Sequence, residues 1–318
     1  MRKLTFLQVC SDEAASFWSA SPHASIFTHV VVLAQLCRRV DWWLCKNGEQ
    51  PLCLWPVCLD TNYNACLPPF SYYVGPMWSV VGLGIPVHRQ LSQAVAVYEG
   101  FIEILGTKYG RITASLPRGL DDVRVFDWWN YHIPTGPRFT IKPRYSACIR
   151  DMQSKSMSQI ESGFRQLRRR ELRRSERNNL LKRCSHWRAS EVLQLYTEIL
   201  ARESVELDIE TRASIENIIS LAQRGFGDIL VYKSVDNNSL SYVSVLLYGK
   251  ACANLILNLV SADVRSAGYS AMCIRDTIHC AKTYGCDVFD FNGANSPSRG
   301  DDKHSYGAAA ELYFQIDL

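Results

Sequence analysis

Alternation of side-chain character marks Cys252 to Val260 as a strand. Ala253, Leu255, Leu257 and Leu259 fall on one face, and Asn254, Ile256 and Asn258 on the other. Two amides on a strand otherwise fit for burial need partners, because an unmet buried amide costs about 1–3 kcal/mol. They either pair with loops or face a ligand. After Ser261 the period changes. Ala267, Ala271, Ile274, Ile278 and Ala281 recur at helical spacing, and Gly285 is placed to end the helix. Val288 to Gly293 returns to period two, with Phe289 and Phe291 on one side and Asp290 and Asn292 on the other. The polar pair then sits at a strand's carboxyl end, where open α/β sheets place ligands. On these residues alone Asp290 either caps a loop or faces such a ligand.

The first half carries the same succession. Leu4 to Val9 reads as a strand, Ser11 to Ser19 as a helix and Ser25 to Cys37 as another. Val40 to Leu59 reads as a hairpin about Asn47-Gly48, a type I′ turn signal. Gly82-Leu83-Gly84 lacks the third glycine of a dinucleotide loop and is followed by Pro86, so it reads as a helix entrance. Val87, Leu91, Ala94, Tyr98, Phe101 and Leu105 then form a helical stripe, with Gly106 as the expected stop and Arg111 to Leu116 as a strand. Both halves therefore run hairpin, strand, glycine-bearing loop, amphipathic helix, glycine, strand. The repeat is architectural. It predicts an α/β chain of mixed sheets (α+β) in two similar domains, residues 1–150 and 151–318. Asp127 to Ile141 reads as a crossing segment, and Tyr145 to Arg150 as the strand that enters the second half.

Composition adds limits. The 318 residues are 47% hydrophobic and 21% charged, ordinary for a globular chain long enough for two domains. Twelve cysteines include no Cys-x-x-Cys, and the histidines form no His-Glu-x-x-His, so no metal site is expected. The thiols read as small buried hydrophobes of a reducing compartment. Met1 to Cys10 lacks the apolar region of a signal peptide, and Ala24 to Cys37 falls short of the ~20 apolar residues of a membrane span. The expectation is a cytoplasmic protein with no transmembrane segment. Charge is unevenly spread. Arg165 to Arg183 carries eight arginines and Lys182 against Glu171 and Glu176, a net +7, while the whole chain is +4. Such a run is either a solvated face or a platform for a polyanion such as tRNA, a nucleotide diphosphate or anionic headgroups, with Arg165 and Arg169 as contacts.

Asp263 to Ser270 joins the strand to the helix with one arginine and one glycine. A helix start offers free N–H groups and a positive dipole end, an arrangement that suits a pyrophosphate. Phe289-Asp290-Phe291-Asn292-Gly293, a polar loop, Lys303-His304-Ser305-Tyr306-Gly307-Ala308 and Tyr313-Phe314 together resemble the C-terminus of the Fem-type transferases. That family shows aromatic-Asp-aromatic-x-Gly, then Phe-Lys-x-x-Phe-Gly, then a final aromatic strand. Here Asp302 stands for the first Phe and Tyr306 for the second. Arg265-x-x-Gly268-x-Ser270 resembles the coenzyme loop of the GCN5-related N-acyltransferases (GNAT), with Ser where Gly or Ala is usual. Tyr73-x-Gly75-Pro76 resembles a Fem-type element of the first domain.

The resemblance implies two tandem GNAT domains and acyl transfer to an amine. Leu259, Val260, Ser261, Arg265, Gly268 and Ser270 would hold the donor, acetyl-CoA or another acyl-CoA, with backbone N–H groups near Leu259 to Ser261 facing the acyl oxygen. Asp290 would take or orient the amine proton, Lys303 would stabilise developing negative charge, and Tyr306 would donate to the leaving thiolate. Tyr73, Asn254, Asn258, Asn292, Arg165 and Arg169 are the candidate substrate contacts. The acceptor would be an amine-bearing small molecule, such as an amino sugar, or a cell-envelope or polysaccharide precursor. A second reading takes the acyl group from aminoacyl-tRNA, as peptidoglycan-bridge enzymes do. A third is a non-catalytic nucleic-acid-binding protein organised around the arginines.

Overall fold

The computed structural model describes residues 3–318; the side chains of Val87, which opens the first helical stripe, Ser298 and Arg299 lie outside the described residues. The chain divides into two compact units, Met1–Arg144 with Leu312–Leu318, and Tyr145–Glu311.

The first unit contains β1 (Leu4–Val9), α1 (Ser11–Ala20), α2 (Val30–Leu36), β2 (Arg39–Asn47), β3 (Gln50–Leu59), β4 (Ala65–Cys66), β5 (Met77–Trp78), α3 (Val80–Leu83), α4 (Val87–Tyr109), β6 (Thr113–Ser115) and α5 (Arg124–Trp128). β1, β2 and β3 form an antiparallel meander, and β3 also pairs with β4 and β5. The Asn47-Gly48 turn closes the hairpin as the sequence predicts, with Gly48 at φ 60°. Aromatic residues on the meander, α4 and α5 fill the core. Trp55, Tyr98, Phe101 and Phe126 are buried and meet mostly edge to face. α4 runs through Gly106 and ends at Gly110, whose left-handed backbone (φ 68°) caps it, so the expected stop falls one turn late. Ser25 to Cys37 is not one helix. A 3₁₀ turn over Ile26–Thr28 comes first, and His29 then caps α2 by accepting from the Val31 N–H.

The second unit contains the later half of β7 (Thr140–Ile149), α6 (Met157–Ser162), α7 (Gln166–Asn178), β8 (Leu181–Arg183), α8 (Ala189–Arg202), α9 (Ile209–Leu221), β9 (Gly227–Ser234), β10 (Leu240–Tyr248), β11 (Cys252–Val260), α10 (Ala262–Ala267), α11 (Ser270–Tyr284), β12 (Val288–Asp290), α12 (Pro297–His304) and the start of β13 (Ala309–Asp317). Its strands lie in the order β7, β12, β11, β10, β9, β8. Only β11 and β12 run parallel, because α11 carries the chain back over one face between them. That face is closed by Ile274, Ile278 and Ala281 of α11, packed on Leu255, Leu246 and Phe289. α8 packs against β10 and β11, and α9 against β10.

The domain boundary expected after residue 150 lies instead between Arg144 and Tyr145, and residues 312–318 do not stay with the second unit. The reason is strand pairing: Gln315, Ile316 and Asp317 of β13 lie antiparallel to Ser115, Ala114 and Thr113 of β6. Ile316 is buried in the first unit's core.

Two stability outcomes follow from the first unit. Phe101→Ala opens a cavity between Phe6 and Trp55 and should lower unfolding free energy by about 3–5 kcal/mol in denaturant titrations. The half-buried His23 accepts from the Trp78 N–H, and burial holds its pKa below the ordinary 6.5. The unfolded chain therefore takes up the proton first as pH drops. Stability should fall on acidification below about 6.5, and His23→Gln should flatten that part of a Tm–pH profile.

Candidate functional site

The centre of the second unit is a fork between two parallel strands. β11 pairs with β12 at only three positions, Cys252–Val288, Ala253–Phe289 and Asn254–Asp290, and β11 runs on to Val260. A register shift on the other edge adds a residue at Ile256: Val245 lies opposite Leu257, but Leu246 lies opposite Leu255. Such a bulge bends a strand and increases its twist, which carries β11 away from its parallel neighbour. The Ser261 N–H donates to the Ser241 carbonyl at 2.9 Å. Counting back along the strand, Leu259 also faces β10, so Asn258 and Val260 turn their N–H groups to the open edge. The resemblance placed these donors near Leu259 to Ser261. Of those three, only Val260 presents one there.

The bulge also corrects the face assignment of the two asparagines. Asn258 lies opposite Ser244, whose hydroxyl meets Thr277 of α11 at 2.9 Å. Asn254 lies opposite Leu247 on the other face, where its amide approaches the Leu247 and Cys252 carbonyls at 3.5 Å. Asn258 is exposed, whereas Asn254 is buried. The extra residue inverts the alternation between them, and a plain period-two reading cannot register that.

Asn292 occupies the crotch of the fork. Its backbone is left-handed (φ 54°), its amide nitrogen donates to the Leu255 carbonyl at 3.0 Å, and its buried Oδ1 has no hydrogen-bond partner. Asp290 and Lys303 set this geometry. Asp290 is fully buried; its Oδ1 accepts from the Ser146 hydroxyl and, at 2.7 Å, from the Asn292 N–H. Lys303 donates to the carbonyls of Asn292 and, at 2.7 Å, of Gly293. The structure thus brings Asp290, Asn292 and Lys303 together. These bonds make Asp290 and Lys303 the clamps of the fork loop.

Tyr306 belongs to the α11 side, away from Asp290: it packs in the cluster of Phe289 and Ile274, and Asp290 alternates to the opposite face. The ring stacks on Phe291 at 5.9 Å, meets Phe164 edge on, and carries the Arg168 guanidinium 5.0 Å above it. Its hydroxyl is buried and without a partner. Burial pushes the phenol well above its ordinary pKa, and the charge of Asp302 adds to this against Arg168. Tyr306 therefore holds its proton at neutral pH.

The segment expected as a phosphate-binding turn is the short helix α10. Ser261 caps it, accepting from the Val264 N–H at 3.4 Å, and Gly268 ends it in the left-handed region (φ 78°). Ser270 opens α11, and Arg265 is exposed. A carboxylate stands against this turn. A Cβ on Gly268 would lie 3.0 Å from Glu171 Cγ, and Glu171 accepts from Arg168 at 2.9 Å. Glu171 also acts on the Tyr306 phenol, so it is the common neighbour of the turn and the tyrosine. Arg265 and the α11 N-terminus bring positive charge to this turn, and Glu171 sets negative charge against it.

Residues of the basic run divide by helix face. Arg165 is paired with Asp301 at 2.6 and 3.0 Å, and Arg168 with Asp302, pinning α7 to α12. Leu172 and Ser175 are buried beneath α7. Arg169, Arg170, Arg173, Arg174 and Arg177 lie on the outward face, exposed, and have no ion-pair partner among the described residues. Tyr73 belongs to the first unit, where it is buried against Tyr313 with Arg118 over its ring at 5.0 Å. Arg168 and Glu171 are the two site residues that sequence reasoning missed. Their i,i+3 spacing inside the basic run was the available signal, with Glu171 as its acidic interruption.

Lys303→Ala would leave two loop carbonyls unmet and should cost about 1–3 kcal/mol of stability in urea titrations, with Lys303→Arg recovering part of it.

No family model matches the sequence, and no curated protein matches it. Solved structures do. The chain is similar to FemX with a TM-score of 0.67 at 10% identity, covering 98% of this chain and 96% of FemX. It is similar to a tandem GNAT protein from the clavulanic acid biosynthesis pathway at TM-score 0.56 and 10% identity, covering 99% and 98% of the two chains. For L-PGS from Bacillus licheniformis the values are 0.52 and 13%, covering 97% and 92%. The chain therefore has the mixed α/β, tandem GNAT-like fold shared by FemX.

Proposed function

We propose that this protein is an acyltransferase that joins an activated acyl group to an amine at the fork of β11 and β12. The observation that carries the reading is the fork itself. The N–H groups of Asn258 and Val260 line its open edge, and two buried groups beside it, Asn292 Oδ1 and the Tyr306 hydroxyl, have no partner among the described residues. Buried polar groups are almost always paired, so two unmet ones beside a split strand point to a substrate that pairs them.

Each group has a task. The paired backbone N–H groups are donors for a carbonyl oxygen that gains negative charge. Asn292 Oδ1 accepts a hydrogen bond from the attacking amine, which enters as the free base and releases its proton to solvent. Tyr306, a neutral phenol, donates a hydrogen bond to the leaving group as negative charge develops on it. Asp290 and Lys303 act through Asn292 and are positioning residues. The donor supplies an activated carbonyl and a leaving group. An acyl-CoA is supported by Arg265, Gly268 and the α11 N-terminus, with Glu171 moving aside. An amino sugar or another amine of an envelope or polysaccharide precursor is the acceptor class. A second reading, transfer from aminoacyl-tRNA, is favoured by the unpaired arginines on the outer face of α7.

Tyr306→Phe separates chemistry from folding. Removing a buried, unpartnered hydroxyl should leave Tm unchanged or raised, while transfer to an amine falls about 10²-fold or more. Unchanged transfer would remove Tyr306 from the mechanism. Thermal shift distinguishes the donors. Stabilisation by CoA supports the thioester; retention of tRNA that is lost on Arg169→Glu with Arg173→Glu supports the second reading.

A further inference from the structure

The first unit carries a cleft of about 550 Å³ between Glu99 of α4 and the turns that follow α5, well inside the ~300–1,000 Å³ of small-molecule sites. Its walls are aromatic and polar together: Trp128, Trp129, Tyr131 and His132 beside Asn130 and Glu99. Trp128 and Tyr131 are 44% and 63% exposed, unusual for such large rings. They are nonetheless held. The Arg124 guanidinium lies 5.5 Å from the Trp128 ring and is fixed by Asp122 at 2.7 and 2.8 Å. Arg138 lies 5.6 Å from the Tyr131 ring and donates to the Asp127 carbonyl at 2.8 Å. An arginine lies over each ring, His132 meets Tyr131 at right angles, and the ring surface left exposed lines the cleft as a preorganised platform.

Polar chemistry decides what fits. Trp129 Nε1 is buried and has no acceptor among the described residues. The exposed Glu99 carboxylate can only accept, and it has no ion-pair partner among the described residues. A ligand that satisfies both must offer an acceptor to the indole and a donor to the carboxylate, with an apolar face for the rings. A quaternary ammonium, the usual guest of aromatic cages, offers neither hydrogen bond. A purely apolar partner surface would bury Glu99 unpaired, which is costly. A sugar ring meets all three demands, since its hydroxyls donate and accept and its C–H face is flat and apolar.

We propose that this cleft is a saccharide-binding subsite, with Trp128 and Tyr131 as stacking platforms and Glu99 and Trp129 as hydroxyl partners. The assignment stands on the first unit alone and is independent of acyl transfer.

Saturation-transfer NMR and calorimetry of the full chain with glucose, N-acetylglucosamine, maltose and choline test it directly. The expected result is binding of at least one sugar in preference to choline. Trp128→Ala and Tyr131→Ala, at exposed positions that leave Tm unchanged, should each weaken that binding roughly tenfold, and Glu99→Gln should weaken it less. Choline binding in preference to every sugar, no binding of any of the three sugars, or sugar binding untouched by both aromatic substitutions would each overturn the assignment. Amine acylation by the Trp128→Ala protein reports on the fork separately, so failure here leaves the transferase reading where it stood.

Discussion

The early parting of β11 from β12 is the constraint on which the second unit is built. Two parallel strands that ought to share a ladder share it for three residues, then separate where a bulge turns one of them aside. A split ladder exposes backbone groups that water or a substrate must satisfy. The protein stabilises the opening with charge at its apex. Asp290 holds the Asn292 N–H, Lys303 holds the carbonyls that follow, and Asn292 itself reaches across to Leu255. A carboxylate and an ammonium on either side of one backbone residue fix a left-handed asparagine that would otherwise be disfavoured.

A second layer closes over this frame from α7. Its inner face ends in ion pairs to α12, and Arg168 sits at the junction of four groups: Glu171, Asp302, Ser305 and the ring of Tyr306. This makes the basic helix two things at once. Its inner arginines are spent on structure, and its outer ones remain available to anions. Glu171, lodged by Gly268, ties the position of α7 to the electrostatics of the turn between α10 and α11. Whatever moves that carboxylate also alters the surroundings of Tyr306.

Much of this was legible in the sequence. The hairpin at Asn47-Gly48, the stripe of α11 with Gly285 as its cap, and the doubled order of elements follow from local periodicity and turn chemistry, which act over a few residues. What could not be read was non-local. The bulge at Ile256 depends on β10 as much as on β11, so the opposite facing of Asn254 and Asn258 was invisible. Asp290 and Lys303, named together from the sequence, bind the backbone of the same loop. That shared anchoring was not legible, because the partner is backbone, and backbone carries no sequence signature. Arg165 looked free by composition and is paired, since Asp301 lies far along the chain.

The return of β13 to β6 has a consequence for how the molecule is made. The first unit's edge strand is supplied by residues that follow the entire second unit in the chain. During synthesis the inserted unit has its whole sequence before its host does, and the host waits with an unpaired β6 edge until the final segment arrives. Translation order and structural completion therefore run in opposite directions in this protein, and a nascent chain halted between the two would carry a finished fork while the β6 edge was still open.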